Sequence, residues 1–298
     1  MAYLLQQVLS AIPTAALYAA LAFGYALAFG VTRRPDIAYG ALFAFSGQMY
    51  VLFADVGWNR LWLVLPAALV FGAAMATIYG AGTGLLLGRY VMRPLVRVSP
   101  HAIIVASLGV LIALMEVARL ASNTRSLWLP PFLNEPIEFW VEDGYRVTLT
   151  LIQLMNTLIM VALVIAGQQF LRRSRWGRSW RAVCDDPLAA ELCGADAGRI
   201  FVLAYGAAAL VATVCGILAT SYYGNMDFGS GIMFGLKVLM VAAIGGYGDP
   251  LRSAGGAASL GFAESLWGGY GPLIWRDLVM FSLLIFILVL SRRERPVP

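Results

Sequence analysis

Long apolar runs alternate with short polar segments along the whole chain of 298 residues. Nine runs are present, at approximately residues 4–31, 37–53, 61–88, 102–120, 147–171, 200–223, 232–246, 254–270 and 278–290. A helix rises 1.5 Å per residue and the hydrocarbon core of a bilayer is about 30 Å thick, so such runs are typical of membrane-spanning helices. The pattern predicts an all-α, polytopic bundle in a single domain over 1–298. It has nine spans, or eight or ten if the short second run is re-entrant.

The polar segments between the runs differ in character. The first run stops at Thr32–Pro35, and a break is expected there because proline disfavours helix in the residue before it. Asp36 can cap the helix that follows. Residues 121–146 are expected to form a long loop, and a glycine-rich break is expected at 224–231.

The composition also indicates a membrane protein. Hydrophobic residues make up 60% of the chain and charged residues 12%, with a mean hydropathy of +0.78, whereas soluble domains carry about 25% charged residues. Cys184, Cys193 and Cys215 are expected to be free thiols, because their spacing lacks zinc-site pairs. With His101 as the only histidine, no metal site and no serine–histidine–aspartate set is expected, and the sequence has no phosphate-binding loop. The chain is therefore predicted not to be an enzyme.

The arginines are distributed unevenly between the two sides of the predicted bundle. With 172–199 placed in the cytoplasm, fifteen arginines fall on the inner side and four on the outer, while Arg119 and Lys237 lie within runs. This excess predicts an N-terminus outside and a C-terminus inside. The net charge of +5 is thus an orientation signal, and no nucleic-acid partner is expected because the arginines are spread over every inner loop.

The segment 172–199 is the longest strongly polar stretch between two runs. It opens with five arginines in ten residues and continues with acidic residues at 185, 186, 191 and 196. Pro187 at the start of PLAAELCG predicts a short amphipathic helix, which either Asp185 or Asp186 can cap. A charged, helix-forming segment on one side of a bundle predicts a docking surface. The alternative is that the loop is positively charged only because it lies on the inner side of the membrane.

Lys237 is the only lysine, and it lies inside the seventh run. A charge near the bilayer centre costs about 2.5–3.5 kcal/mol on insertion scales, so this side chain is expected to face the interior and find a partner. Glu264 in the eighth run is the expected partner, either as a buried pair that fixes helix packing or as part of a transport path. Glu116 and Arg119 are expected to pair within the fourth run.

Glycines cluster at the starts and ends of the runs. Two interpretations stay open: non-helical backbone that lines a cavity, as interrupted transporter helices do, or tight helix packing. The glycines concerned are Gly40, Gly47, Gly229, Gly231, Gly235, Gly245, Gly246, Gly248, Gly255 and Gly256.

Four segments resemble, in order, the permeases of branched-chain amino-acid ABC importers. They are PDIAYGALFAFSGQMY at 35–50, RPLVRVSPHAIIVASLGVLIAL at 93–114, GRSWRAVCDDPLAAELCGADAGRI at 177–200 and FGLKVLMVAAIGGYGDPLRSAGGAASLGFAES at 234–265. The resemblance covers about residues 1–293. Each segment alone is a weak match, but four in the family's order are fairly specific.

The resemblance implies a multi-pass subunit of an importer in the bacterial inner membrane. A second permease, identical or paralogous, completes the pore; cytoplasmic ABC ATPases bind and hydrolyse ATP; and a periplasmic binding protein delivers the solute. This chain itself would bind no cofactor and no metal. The implied translocation path comprises Asp36, Tyr39, Gly40, Gln48, Ser107, Gly109, Lys237 and Glu264. The implied ATPase-coupling residues, within the cytoplasmic loop 172–199, are Gly177, Arg178, Arg181, Ala182, Asp185, Asp186, Glu191 and Gly194.

The sequence departs from the family pattern at positions that affect the substrate. The family's usual histidine is Tyr39 here, its usual asparagine before the second span is Asp36, and its asparagine in the coupling segment is Asp185 or Asp186. Branched-chain amino acids are the expected solute, with urea, short amides or another small polar solute as alternatives. The competing mechanism is an ion-coupled secondary transporter that relays protons through Glu116, Lys237 and Glu264. A membrane enzyme and a structural scaffold are the remaining classes.

Overall fold

The computed structural model describes residues 2–96, 100–142, 145–245 and 249–291. The first half of the chain forms α1 (Ala2–Thr32), α2 (Ala38–Asn59), α3 (Leu65–Leu86), α4 (Arg93–Val96), α5 (Pro100–Ala121) and α6 (Leu151–Arg173). The second half forms α7 (Arg175–Asp185), α8 (Pro187–Leu192), α9 (Ala197–Tyr223), α10 (Ser230–Gly245), α11 (Pro250–Tyr270) and α12 (Arg276–Ser291). A π-helical turn, Leu87–Met92, joins α3 to α4, and strands β1 (Pro136–Glu142) and β2 (Tyr145–Thr150) pair antiparallel.

The predicted helical membrane architecture is confirmed in its coarse form. Each of the nine apolar runs coincides with a helix in the part of the chain that the structure describes. Five helical stretches are long and apolar enough to cross a membrane: Tyr3–Thr32, Leu65–Val96, His101–Ala121, Leu151–Arg173 and Ala197–Tyr223. The count of nine spans and the orientation of the termini stay predictions.

The segment 121–146 is not simply a loop, and the helix expected from Val147 begins later. Buried Val147 and Leu149 alternate with more exposed neighbours, which is the period-two pattern of a strand. Thr150 then ends β2 and caps α6: its hydroxyl accepts a hydrogen bond from the Gln153 backbone N–H, and the Gln153 side chain accepts one from the Thr150 N–H. This reciprocal capping box fixes the start of α6 at Leu151.

The central helix of the bundle is α2, which packs against α3, α9, α10 and α5. Small residues bring its neighbours close. A methyl group on Gly40 would overlap the Gly235 Cα atom and the Gly231 carbonyl of α10, and one on Gly216 of α9 would overlap the Phe43 carbonyl. At these positions the glycines serve tight helix packing. Gly246 and Gly248 lie outside the described residues.

The two ends of the bundle carry different structures. One end, here called the sheet end, carries β1 and β2. There the Gln6 side chain of α1 donates a hydrogen bond to the Thr148 carbonyl of β2 and accepts one from the Thr148 N–H. Tyr3 donates a 2.7 Å hydrogen bond to the Gly269 carbonyl near the end of α11. At the other, here called the arginine end, the guanidinium of Arg33, directly after α1, donates to the carbonyls of Cys184 and Asp185 on α7. α1 therefore connects the two ends.

Candidate functional site

A cavity of about 620 Å³ lies between α1, α2, α9, α10, α11 and α12. Residues from the sheet end, including Trp128, Asn225 and Asp227, form part of its wall. The aromatic rings of Tyr18, Phe43, Tyr223 and Phe234 line it as well. The cavity thus combines apolar surfaces with polar groups, as small-molecule sites usually do.

Charged side chains meet at this cavity. Lys237 Nζ lies 2.8 Å from Glu264 Oε1 and 2.9 Å from Asp277 Oδ1, and both Lys237 and Glu264 are almost fully buried. Tyr18 donates a 2.7 Å hydrogen bond to Glu264 Oε2, and Arg276 Nε lies 3.7 Å from Glu264 Oε1. The expected Lys237–Glu264 pair is present, and we call these five residues the charge cluster. Sequence reasoning missed Tyr18, Arg276 and Asp277; the one available sign was that Arg276 and Asp277 begin the helix after Glu264.

Asp36 lies buried at the junction of α1, α2 and α9. Its Oδ2 accepts a 2.6 Å hydrogen bond from the Tyr205 hydroxyl, and its Oδ1 accepts one from the Ala38 backbone N–H at 2.9 Å. Its own N–H donates to the Tyr25 hydroxyl. Asp36 does not line the 620 Å³ cavity. The carboxylate accepts from the first N–H of α2 and ties that turn to α9, while the Asp36 N–H ties it to α1. The N-cap position of α2 itself is Ile37, not Asp36.

Polar groups along α2 and α9 include several without partners. Among the described residues, the Tyr39 hydroxyl, Gln48 Nε2 and the Thr220 hydroxyl are buried and make no hydrogen bond, whereas Ser46 and Thr213 lie 3.0 Å apart. Gln48 also lines a second, small cavity together with Arg125 and Asp227 of the sheet end. Buried polar atoms without partners are uncommon in proteins because each one costs free energy of folding.

Ser107 and Gly109 lie on α5, away from the 620 Å³ cavity. Ser107 is buried and donates to the Ile104 carbonyl, while a methyl group on Gly109 would meet open space. The Glu116–Arg119 pair is present at 2.6 Å, and both side chains are about half exposed. The cavity therefore gathers Lys237 and Glu264 from the predicted path, but not the other six residues.

The arginine end is built around α7. Trp180 packs against Gly30 of α1 and its indole N–H faces the Leu27 carbonyl at 3.3 Å. The Arg181 guanidinium donates a 2.9 Å hydrogen bond to the Leu171 carbonyl of α6. A methyl group on Gly177 would overlap this same carbonyl, so the turn from α6 into α7 requires glycine there. Arg181 and Gly177 therefore fix the α6–α7 corner.

The short helix α8 follows the sequence prediction. Of the two candidate caps, Asp186 is the one used: its Oδ1 accepts from the N–H groups of Leu188 and Ala189. Gly194, two residues after the end of α8, has the left-handed conformation, with φ of +87°. Ala190 is buried, while Leu192 is 90% exposed. The remaining predicted coupling residues, Arg178, Ala182, Asp185 and Glu191, are all exposed.

Native cysteines provide a test of this arrangement. Burial, assisted by the Asp185 carboxylate, raises the pKa of the Cys184 thiol to about 12, against an ordinary value of 9.0. The reactive thiolate is thus roughly a thousandfold scarcer at neutral pH than for an ordinary thiol. We expect maleimide to label exposed Cys193 rapidly and Cys184 slowly, with the Cys184 rate rising about tenfold per pH unit between pH 7 and 9. Mass spectrometry of Cys184→Ser and Cys193→Ser variants measures both rates; equal rates would contradict the packing of α7.

The helical bundle, the charged cavity and the separate arginine end suit a membrane transport protein. The chain belongs to the family described as branched-chain amino acid transport system, permease component, whose profile matches residues 7–288. It is a multi-pass membrane protein, and its relatives are transporter subunits rather than enzymes.

Three relatives show the range of similarity. The chain is 28% identical over 292 residues to LivH of Escherichia coli K12, a high-affinity branched-chain amino acid permease, covering 96% of this chain and 93% of LivH. It is 25% identical to BraD of Pseudomonas aeruginosa, a permease of the same type, with 96% and 93% covered. It is 24% identical to FruG of Bifidobacterium longum, a fructose import permease, with 88% and 76% covered. No solved structure matches the chain.

Proposed function

We propose that this chain is the inner-membrane permease subunit of an ATP-driven importer of branched-chain or related amino acids. The observation that carries this proposal is the pairing of a charged cavity toward the sheet end with a structured, exposed segment, α7–α8, at the arginine end. In this proposal the sheet end is periplasmic and receives solute from a binding protein. The arginine end is cytoplasmic and contacts ATPase subunits, which alone bind ATP.

The chemistry of the cavity suits an amino acid. Lys237 and Arg276 can attract a carboxylate, while Asp227, Glu264 and Asp277 can attract an ammonium group. The rings of Phe43 and Phe234 give an apolar wall for an aliphatic side chain. Because the two cations already face carboxylates, a zwitterion would exchange existing ion pairs for new ones rather than leave any charge unpaired. Urea, short amides and other polar solutes stay as alternatives.

The proposed mechanism is alternating access transmitted along α1. Arg33 and Trp180 attach α7 to the last turns of α1, and Thr14 and Tyr18 of the same helix line the cavity. From Leu27 to Tyr18 is nine residues, which is about 13.5 Å of helix. A displacement of α7–α8 by the ATPases would therefore move one wall of the cavity. The Tyr39 and Thr220 hydroxyls and Gln48 Nε2, which make no hydrogen bond with the described residues, would gain water or solute partners as the spans tilt.

A second permease subunit, identical or paralogous, is proposed to pack against α5. That helix contacts mainly α2 within this chain, and its Gly109 has open space beside it. The half-exposed Glu116–Arg119 pair would be costly against lipid tails but tolerable beside a protein partner or water. This arrangement would place Ser107 and Gly109 near the subunit boundary.

One experiment tests the proposed function directly. The chain is purified from native membranes with mild detergent, and the eluate is assayed for ATPase activity and analysed for companion proteins. We expect an ATPase to co-elute, and its activity in vesicles to rise when the co-purified binding protein and leucine are added. A chain that elutes alone and transports solute without an ATPase would contradict the proposal. The charge cluster would then favour ion-coupled transport, recognised by uptake that collapses with an uncoupler while ATP is maintained.

Docking of the ATPase is tested at α8. Leu192 is 90% exposed there, so Leu192→Asp should weaken ATPase co-elution about tenfold or more, as changes at the centre of an interface do. Ile274→Asp is the matched control, since Ile274 is 93% exposed at the other end of the bundle. Arg181→Glu is also expected to weaken docking, but it removes the bond to the Leu171 carbonyl as well. Unchanged co-elution of Leu192→Asp would place the docking surface elsewhere.

A further inference from the structure

A long apolar groove lies on the side of the bundle, between α1, α6 and α9, and ends at the start of α7. Its volume is about 930 Å³, and each of its lining residues is apolar or glycine, among them Phe23, Phe170, Trp176 and Leu210. It is separate from the 620 Å³ cavity and shares no lining residue with it. Neither the charge cluster nor α8 contributes to it.

The groove has the dimensions of one lipid chain in one leaflet. Along α6 its wall extends from Ile159 to Leu171, a stretch of thirteen residues and about 18 Å of helix. Half of a bilayer's hydrocarbon core is about 15 Å thick. Leu171 and Trp176 place one end of the groove at the arginine end of the bundle. The groove therefore begins at one membrane surface and reaches approximately the midplane.

Positive charge surrounds the surface end of this groove. Arg172, Arg173 and Arg175 are exposed where α6 turns into α7, immediately beside the lining residues Leu171 and Trp176. The arginine ion pairs found among the described residues involve Arg119, Arg146, Arg199, Arg252 and Arg276, not these three. An apolar groove one leaflet deep, flanked by cations that pair with none of the described acidic residues, complements a molecule with an acyl chain and an anionic headgroup.

We propose that this groove binds an anionic phospholipid of the leaflet that faces the arginine end. One acyl chain lies along α6 between Phe23 and Leu210, and the headgroup phosphate is held by the arginines at the α6–α7 corner. Because the Arg181 guanidinium and Gly177 fix that same corner, the bound lipid stabilises the orientation of α7. Juxtamembrane arginines attract anionic lipid by about 1 kcal/mol each, which corresponds to roughly fivefold in affinity per charge.

The charge requirement is tested on the full-length chain, purified in mild detergent and analysed by native mass spectrometry. Phosphatidylglycerol and phosphatidylcholine with identical acyl chains are titrated separately. We expect one phosphatidylglycerol per chain to be retained preferentially, and Arg172→Gln with Arg173→Gln to weaken it by roughly 30-fold. The control is Arg89→Gln with Arg252→Gln, which removes the same charge from two other exposed arginines and should leave binding unchanged. Equal retention of both lipids, or equal losses in both double variants, would overturn the proposal.

The apolar requirement is tested by filling the groove. Ala166 is an exposed lining residue, so Ala166→Phe should reduce retention of phosphatidylglycerol, and Ala162→Phe provides a second variant at the same wall. Ala74→Phe is the control, because Ala74 is exposed on α3 outside the groove. If groove filling instead changes the oligomeric state while lipid retention stays the same, a second copy of the chain covers the groove and the lipid proposal is wrong.

Discussion

Replacement of Lys237 by methionine is expected to lower the free energy of unfolding by about 3–5 kcal/mol, because it removes one partner of a buried ion pair. Lys237 Nζ contacts both Glu264 and Asp277, so its loss leaves two carboxylates facing each other. Tyr18 and Arg276 still contact Glu264, but the cluster would carry a net negative charge in a largely buried place. Thermal unfolding of the purified protein in detergent, followed by tryptophan fluorescence, measures the change.

A second substitution shows whether the pair itself causes the loss. Lys237→Met combined with Glu264→Gln should recover part of the stability, since a neutral amide of nearly the same volume then replaces the carboxylate that lost its lysine partner. Arg119→Met breaks a pair of the same kind, Glu116–Arg119, whose side chains are about half exposed. That control should cost much less stability than Lys237→Met, because solvent screens an exposed pair. If the double variant is no more stable than Lys237→Met, the two residues do not act as a pair.

Gly40→Ala is expected to separate α2 from α10 and to reduce the amount of folded protein sharply. The added methyl group would overlap the Gly235 Cα atom and the Gly231 carbonyl, and neither backbone atom can rotate away as a side chain could. Overpacking of a well-packed interior usually costs about 1–3 kcal/mol. Lys237 lies two residues after Gly235 on α10, so the shift would also disturb its contact with Glu264. Size-exclusion chromatography and thermal unfolding measure the loss.

The same substitution at an uncrowded glycine provides the contrast. A methyl group on Gly82 of α3, or on Gly109 of α5, would meet open space. Because alanine favours helix over glycine by about 1 kcal/mol, these variants should be neutral or slightly more stable. An effect of Gly40→Ala no larger than that of Gly82→Ala would show that α2 and α10 are not closely packed at this point.

The long helices of this fold could be predicted because a continuous apolar run marks each one, whereas α4, α7 and α8 lie in polar segments between the runs. The strands could not, since the polarity and prolines of 121–146 predict a loop, and the period-two pattern of β2 merges into the apolar start of α6. The start of α6 depends on the side chains of Thr150 and Gln153, a local signal that the average hydropathy of the run does not contain. Boundaries of this kind depend on a few hydrogen bonds rather than on average hydropathy.

The residues of the candidate site were also predictable only in part. Lys237 and Glu264 were predictable because a lone charge in an apolar run requires a partner, and few acidic residues lie within runs. Tyr18 was not, because nothing near it in the sequence indicates that α11 lies beside it. The Asp36–Tyr205 bond likewise joins residues 169 positions apart. Which polar side chains meet across a bundle depends on helix packing, and the pattern of apolar runs along the chain does not show it.

The packing of α11 along α1 has a consequence for how the protein is made. Tyr18 and its partner Glu264 are 246 residues apart, so the first helix is synthesised long before the helix that covers it. At synthesis rates of about 5–20 residues per second, α1 waits roughly 12–50 seconds in the membrane for that partner. During this interval its buried face must be shielded by lipid or by the insertion machinery. Ribosome stalling or truncation before α11 should therefore yield a product that is inserted but rapidly degraded.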